Sequence, residues 1–128
     1  MIFKLKTSKE TMEILKDLQA KTNLTPNVLS RLAISCSLLD NTPVDEFESD
    51  NNGLEFNRHT LTGDYDLVFK VLISQHCNRH LTDEEYFPTY IKKHLDRGAK
   101  ILKAEYQYTG NYEKFLIHLT KLNDEVIL

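Results

Sequence analysis

Cysteine is scarce. The 128 residues hold two, Cys36 and Cys77, and both fall inside apolar helical patterns, which fits reduced thiols in a cytosolic protein and argues against a disulfide framework. Long hydrophobic runs are missing too. Nowhere do eighteen apolar residues follow one another, so no membrane span is expected. The opening residues, Met1-Ile2-Phe3-Lys4-Leu5-Lys6, are interrupted by lysines. No signal peptide is expected there, and the chain reads as soluble and cytoplasmic. Glycine is limited to four scattered positions, which leaves no Gly-rich phosphate loop, and no nucleophile stands at motif spacing from a base. His76, Cys77 and His80 lie close together, but on a helix Cys77 points about 100° away from His76 and no further ligands follow at a known spacing. Asp83-Glu84-Glu85 reads as a helix start rather than an acid–base pair. No catalytic residue, metal site or cofactor is expected. Repeats, low-complexity tracts and linkers are absent from the sequence.

An excess of positive charge is also lacking. The formal net charge is −3, with 16 bases against 19 acids, where a nucleic-acid-binding domain is usually basic. The distribution is uneven. Residues 1–31 carry six bases (Lys4, Lys6, Lys9, Lys16, Lys21, Arg31) and three acids, whereas residues 40–55 carry six acids and no base. This asymmetry predicts one face able to meet phosphate and a separate face that is not.

What is present reads as a mainly helical single domain, residues 1–128, with a short amino-terminal strand and five to six helices. Residues 1–39 form a strand-helix-helix unit, residues 40–53 an acidic loop, and residues 54–128 a helical remainder. Met1, Phe3 and Leu5 alternate with Ile2, Lys4 and Lys6, a strand with lysines on one side. Thr7 and Glu10 predict a capping box for a helix to about Thr22. Asn23-Leu24 breaks it, and Thr25 with Pro26 at the first helical position starts a second helix to Leu39. Residues 40–53, with Pro43 and Asn51-Asn52-Gly53, are expected to be a solvated, mobile loop. Alternation over residues 54–59 permits a short extended segment, and Gly63 marks a turn. From Asp64 the apolar stripe of Tyr65, Val68, Phe69, Leu72 and Ile73 is widened by Leu67 and Val71, so that helix is expected to be covered on more than one side, by the core and by another subunit. A capping box at Thr82 and Glu85 opens a helix with Pro88 near its first turn, and Gly98 is expected to end it. Residues 99–108 then form a short helix, Thr109-Gly110-Asn111 a turn, and Phe115, Leu116, Leu119 and Leu122 mark a last helix.

Strand, helix, helix is the outline of a ribbon-helix-helix unit, in which two chains pair their strands and lay the ribbon in a DNA groove. Lys4 and Lys6 would project from that ribbon, or serve as solubilising residues on an edge strand. The amides at Pro26 to Val28, helped by Thr25 and Asn27, offer a place for a phosphate, or are simply capped. Lys9, Lys16 and Lys21, and beyond them Arg31, would widen the patch. Lys9 and Lys16 are two turns apart on one face, as solvated helices also arrange them. Arg58 reads either as a phosphate contact or as a partner of Glu55 or Asp66, with Asn57 bonding the loop backbone. Arg97 reads as a partner of helix-end carbonyls. Tyr106, Tyr108 and Tyr112 near Lys103 and Lys114 mix aromatic and basic groups as single-strand binders do, and are read as core or interface residues.

Three blocks taken in order make a more specific pattern. They are Asn23-Leu24-Thr25-Pro26-Asn27-Val28-Leu29-Ser30-Arg31-Leu32-Ala33, then Glu55-Phe56-Asn57-Arg58 with Leu61-Thr62-Gly63-Asp64-Tyr65-Asp66, and His94-Leu95-Asp96-Arg97-Gly98. Over roughly residues 3–103 the chain resembles the DndE family, small proteins of the bacterial system that replaces a non-bridging phosphate oxygen of DNA with sulfur. The resemblance implies a non-catalytic accessory subunit, a homotetramer that binds duplex DNA with a preference for nicks. It would work with the cysteine desulfurase, the sulfur-activating enzyme and the ATPase of that system. The implied contacts run to backbone phosphates. Two alternatives stay open: a ribbon-helix-helix repressor with a specific operator, and a scaffold that binds only partner proteins. The tail from Tyr106 to Leu128 lies outside the resemblance.

Overall fold

A computed structural model describes the backbone of residues 3–127 and the side chains of residues 3–120. Met1, Ile2 and Leu128 lie outside the described residues, and so does the side chain of Leu122. The protein is mainly helical with a short amino-terminal strand, as alternation and helical spacing predict. Strand β1 (Lys4–Lys6) pairs antiparallel with β2 (Glu55–Asn57), placing Leu5 opposite Phe56 and Lys6 opposite Glu55. Leu5 and Phe56 are buried and the residues on either side of each are exposed, the period-two division of a half-buried ribbon. The partner strand therefore comes from the same chain.

Helix α1 (Lys9–Thr22) starts one residue later than the capping box implies. Ser8 is the cap, its hydroxyl accepting from the Thr11 amide at 3.0 Å. Thr7 is still in the ladder, where its amide donates to Leu54 O and its Oγ1 accepts from the Leu54 amide. Asn23 at φ 61° closes α1. Helix α2 (Pro26–Leu39) begins as read, with Thr25 capping and Pro26 in the first turn.

Residues 40–53 hold no helix or strand, and the loop is tethered at several points. Val44 is buried, Lys92 Nζ donates to Ser49 Oγ and to Asp50 O, and Lys93 Nζ donates to Asp45 O and Phe47 O. The extended segment is shorter than read. Asn57 caps α3 (Arg58–Leu61), so Arg58 and His59 are helical. A 3-10 turn at Gly63–Tyr65 then leads to α4 (Asp66–Cys77).

The capping box at Thr82 and Glu85 is present, opening α5 (Asp83–Glu85). A π-helical turn (Tyr86–Ile91) and α6 (Lys92–Thr109) continue it without a break. Pro88 lies inside the π turn rather than in the first turn. It has no amide to donate and its ring crowds the carbonyl four residues back, and the wider turn is where that is absorbed. Gly98 does not end the helix, and residues 99–108 are not separate from it. A Cβ on Gly98 would fall 1.7 Å from Ala33 O, so this glycine lets the backbones of α2 and α6 meet. The helix ends at Gly110, in the left-handed region at φ 79°. Helix α7 (Tyr112–Ile127) packs back through buried Phe115, whose ring lies 5.1 Å from that of Tyr106.

The core lies between α2 and α6, with α1 against both. Leu15, Leu29, Ile34, Leu95 and Leu102 are completely buried there. Among the described residues no helix is long and apolar enough to cross a membrane.

Candidate nucleic-acid interface

The outer side of the ribbon carries Lys4 and Lys6 beside Glu55 and Asn57. Lys4 Nζ is 3.8 Å from Glu55, both side chains about half exposed (56% and 51%); such a pair is weak and salt-screened. Lys6 is exposed. On α1 the expected face exists, with Lys9 and Lys16 both exposed, but exposed Glu13 lies between them. Lys21 is bound to Asp17 at 2.9 Å and sits 5.6 Å over the Tyr106 ring. The amino-terminal bases are thus interleaved with acids instead of forming one uncompensated patch. Nor is the acidic segment on a separate face, because Asp50 Oδ1 accepts from the Lys9 amide at 2.8 Å at the start of α1.

At the start of α2, Thr25 Oγ1 accepts from the Val28 amide at 3.4 Å, so capping accounts for that threonine. Asn27 is half-buried. Arg31 donates to Leu61 O at 3.1 Å and lies over the Tyr65 ring, tying α2 to α3.

Arg58 is the most constrained of the residues singled out. Its Nε donates to both Asp66 oxygens at 3.0 Å, and its Nη2 to Asp66 Oδ2 at 2.7 Å and to Asp83 Oδ1 at 3.2 Å. The guanidinium is flanked by Phe3 and Tyr86 rings 5.3 and 5.1 Å away. Thr62 and Tyr86 also donate to Asp66. Burial by itself raises the Asp66 carboxyl, and the hydrogen bonds from Arg58, Thr62 and Tyr86 more than reverse it, leaving it below the usual range. Hydrogen bonding to Asp66 holds the Arg58 guanidinium more firmly charged. Arg58 therefore fastens the ribbon to the starts of α4 and α5, and its charge is largely answered within the chain. Beside it an open cleft of about 580 Å³ is lined by Lys4, Asn57 and His59 among others.

A second polar centre holds the scaffold under the ribbon. Asp96, fully buried on α6, accepts from the Ser8 amide, Thr11 Oγ1, Ser49 Oγ and Lys92 Nζ. One carboxylate thus ties the start of α1 and the acidic segment to α6. Arg97 bonds carbonyl ends as read, but those of α2, donating to Ser37 O at 2.7 Å and Asp40 O at 3.2 Å. His94 is buried with Nδ1 2.8 Å from Ser37 Oγ, and its ring lies edge-on to His76 at 4.8 Å. Burial, reinforced by the neighbouring His76 ring and Arg97 guanidinium, pushes the His94 imidazole down to about 3. His76 Nε2 lies 2.6 Å from Asp40 O, which commits it to the loop.

Packing of α1 on α6 adds Lys100, a base that the sequence reading did not select, on the same helix as Lys103, which it placed beside the tyrosines. Lys100 and Lys103 are exposed on α6, and Lys100 Nζ is 3.6 Å from Glu10 of α1. No local spacing links them to Lys9 or Lys16. Only the helix packing brings Lys100 against α1, and the periodicity of α6 through Gly98 is the one signal that could have placed it.

A family model described as DNA sulphur modification protein DndE matches residues 4–110. The fold is similar to the crystal structure of DndE from Escherichia coli B7A, involved in DNA phosphorothioation modification. The two are 20% identical with a TM-score of 0.62, over 75% of this chain and 93% of that one. It is also similar to a glycine-to-lysine mutant of DndE involved in DNA phosphorothioation, at 21% identity and a TM-score of 0.60, over 77% of this chain and 94% of that one. At these identities the likeness establishes the fold. No curated protein matches the chain. Helix α7 lies beyond the matched residues.

Proposed function

This chain belongs to the DndE family of DNA sulphur modification proteins, and we propose that within DNA phosphorothioation it is the DNA-contacting accessory subunit. It grips backbone phosphates of duplex DNA, by preference at nicks, and performs no catalysis of its own. It acts in the cytoplasm beside the cysteine desulfurase, the sulfur-activating enzyme and the ATPase of the system. The observation that carries this reading is the exposure of Lys6, Lys9, Lys16, Lys100 and Lys103 on β1, α1 and α6, elements that follow one another or pack together. Lys4 and Lys21 flank them and exchange their acid partners for phosphate on binding. Thr25, Asn27, Arg31 and Arg58 support the surface, since their hydrogen bonds and burial hold the chain that carries it.

A protomer with so few uncompensated cations binds weakly. Several copies related by symmetry, four by family analogy, present the same lysines repeatedly along one duplex. Each phosphate neutralised steepens the salt dependence by about 0.9 in log–log slope.

The test is a gel shift with nicked, intact and single-stranded DNA at two salt concentrations. Replacing Lys4, Lys6, Lys9 and Lys16 together by Glu is expected to abolish binding with the oligomer intact. Unchanged binding by that variant removes the patch. A scaffold that binds only partner proteins is the second reading, favoured by the net charge of −3 and by the Lys4–Glu55, Lys21–Asp17 and Lys100–Glu10 pairings; it predicts no salt-sensitive DNA complex. The repressor reading is weakened because β1 already has β2 as its ladder partner.

A further inference from the structure

The cleft beside Arg58 is walled by hydrogen-bond donors. It opens on the outer side of the ribbon, because the cross-strand pair Lys4 and Asn57 is part of its lining, with Phe3, Arg58, His59 and Asp66 among the rest. Nε and Nη2 of Arg58 are spent on Asp66 and Asp83, which fixes the plane of the guanidinium. Nη1 has no acceptor among the described residues, and it is not one of the buried atoms left without a partner, so its two hydrogens face solvent. Asn57 is held in the same manner. A backbone amide only donates, so the atom 2.8 Å from the Thr60 amide is Oδ1, and Thr60 Oγ1 donates to it as well at 3.0 Å. Nδ2 of this exposed side chain is left with both hydrogens and no acceptor among the described residues.

The one carboxylate in the wall is already occupied. Asp66 Oδ1 accepts from Arg58, Thr62 and Tyr86, and Oδ2 accepts from Arg58. The Lys4 ammonium, 3.8 Å from Glu55, and the exposed His59 ring add two further donors that can turn inward. Such a wall suits an anion, and the size of the recess narrows the choice. At about 580 Å³ it exceeds a phosphate group and falls among small-ligand sites, with room for a sugar beside the half-buried Phe3 ring. Phosphates of an unbroken duplex are tied to the strand on both sides and lie on its convex surface, where exposed lysines reach them. A strand end is free to leave that surface. Its terminal phosphate also carries three unshared oxygens and about −1.5 to −2 charge at pH 7, more than a bridging phosphate has.

We propose that this cleft seats the phosphorylated end of a broken DNA strand, with Arg58 Nη1 and Asn57 Nδ2 donating to the terminal phosphate while Lys4 and His59 close on it. The proposal rests on the DNA reading above and gives its preference for nicks a chemical origin, since a continuous duplex has no such group to offer. Arg58 then acts through its free nitrogen as well as through the pairs that hold the ribbon.

The experiment is fluorescence anisotropy on one duplex sequence in four forms: unbroken, nicked with hydroxyls on both ends, and nicked with a phosphate on the 5′ or on the 3′ end. A phosphorylated nick is expected to bind about ten-fold tighter than the hydroxyl nick, the worth of one charge-assisted hydrogen bond. That comparison needs no variant. Asn57→Asp keeps the capping oxygen and replaces the Nδ2 donor by an acceptor, so the ratio between the two nicks is expected to fall to about one with the circular dichroism spectrum unchanged. Lys6→Ala, on the same ribbon but outside the cleft, is expected to weaken all four forms alike and keep the ratio. Thymidine 5′-monophosphate is expected to leave the ratio as it is, because a free nucleotide lacks the effective concentration that the bound duplex provides; if it erases the preference, the cleft serves free nucleotides and the strand-end assignment is overturned. Equal affinity for phosphorylated and hydroxyl nicks, or a ratio kept by Asn57→Asp, also overturns it while leaving the DNA reading in place. Failure of all four forms to bind takes down the DNA reading, and the role of the cleft with it.

Discussion

Asp96 and His94 lie two residues apart on α6, both fully buried, and they bear on stability in different ways. Asp96 answers four donors, one of them the ammonium of Lys92. Removing the carboxylate leaves the Lys92 ammonium without a counter-charge and takes the acceptor from three further donors. Asp96→Ala is therefore expected to cost about 3–5 kcal/mol in urea unfolding and to free the acidic segment that Ser49 anchors. His94 is the converse. Its folded-state pKa is lowered to about 3 from 6.5, so the native protein holds it neutral while the unfolded chain takes up a proton below about pH 6.5. The unfolded state binds more protons throughout that interval, and stability falls as the pH drops. The slope is expected to reach roughly 1 kcal/mol per pH unit between about pH 6 and 5, above the range where most carboxylates titrate. His94→Gln should flatten that part of the pH–stability curve, measured by denaturant unfolding at closely spaced pH values. An unchanged slope would assign the acid sensitivity to other groups.

At the scale of elements, α2 and α6 make the closest helix contact, and Gly98 is what permits it. Gly98→Ala is expected to destabilise by at least about 2 kcal/mol through overpacking, because the new methyl would meet the Ala33 backbone; thermal melts of the single variant check this. The same glycine shows where sequence reading loses its grip. Glycine late in a helical pattern signals a stop, but it equally serves a close crossing, and nothing in the neighbouring residues distinguishes the two. Caps supplied by a local side chain were legible, as at Thr25 and Thr82. The cap of α1 was misplaced by one residue, because Thr7 is engaged by Leu54, which is distant in sequence. Site residues divide in the same way. Exposure of Lys4, Lys6, Lys9 and Lys16 follows from period-two and helical spacing. The pairing of Arg58 with Asp66, eight residues on, is one of the two readings the sequence offers, and the structure has it; its second partner Asp83, the place of Lys100 against α1 and the approach of Asp50 to Lys9 depend on which elements meet, and so lie beyond local pattern.

At the scale of the whole molecule the question is how a chain of net charge −3 grips a polyanion. Acids stand close to its cations: Lys4 pairs with Glu55 across the ribbon, Lys21 with Asp17 a turn away and Lys100 with Glu10 of the neighbouring helix, while Glu13 lies between Lys9 and Lys16 on α1. These pairs are exposed, so each contributes well under about 1 kcal/mol to stability. Their larger effect is on the field that DNA meets. If phosphate binding has to displace these acids, neutralising them should strengthen it with little loss of stability. A variant with Glu10→Gln, Glu13→Gln, Asp17→Asn and Glu55→Gln is expected to melt within a few degrees of wild type. Its affinity for duplex DNA at low salt should rise about ten-fold or more, with a steeper salt dependence as each freed lysine adds a phosphate contact. The steepening should multiply with the number of copies on the duplex. Fluorescence anisotropy titrations across a salt series measure both quantities at once. Identical slopes in wild type and the neutralised variant would mean that these lysines never touch the backbone, and the scaffold reading would then stand in place of the DNA-binding one.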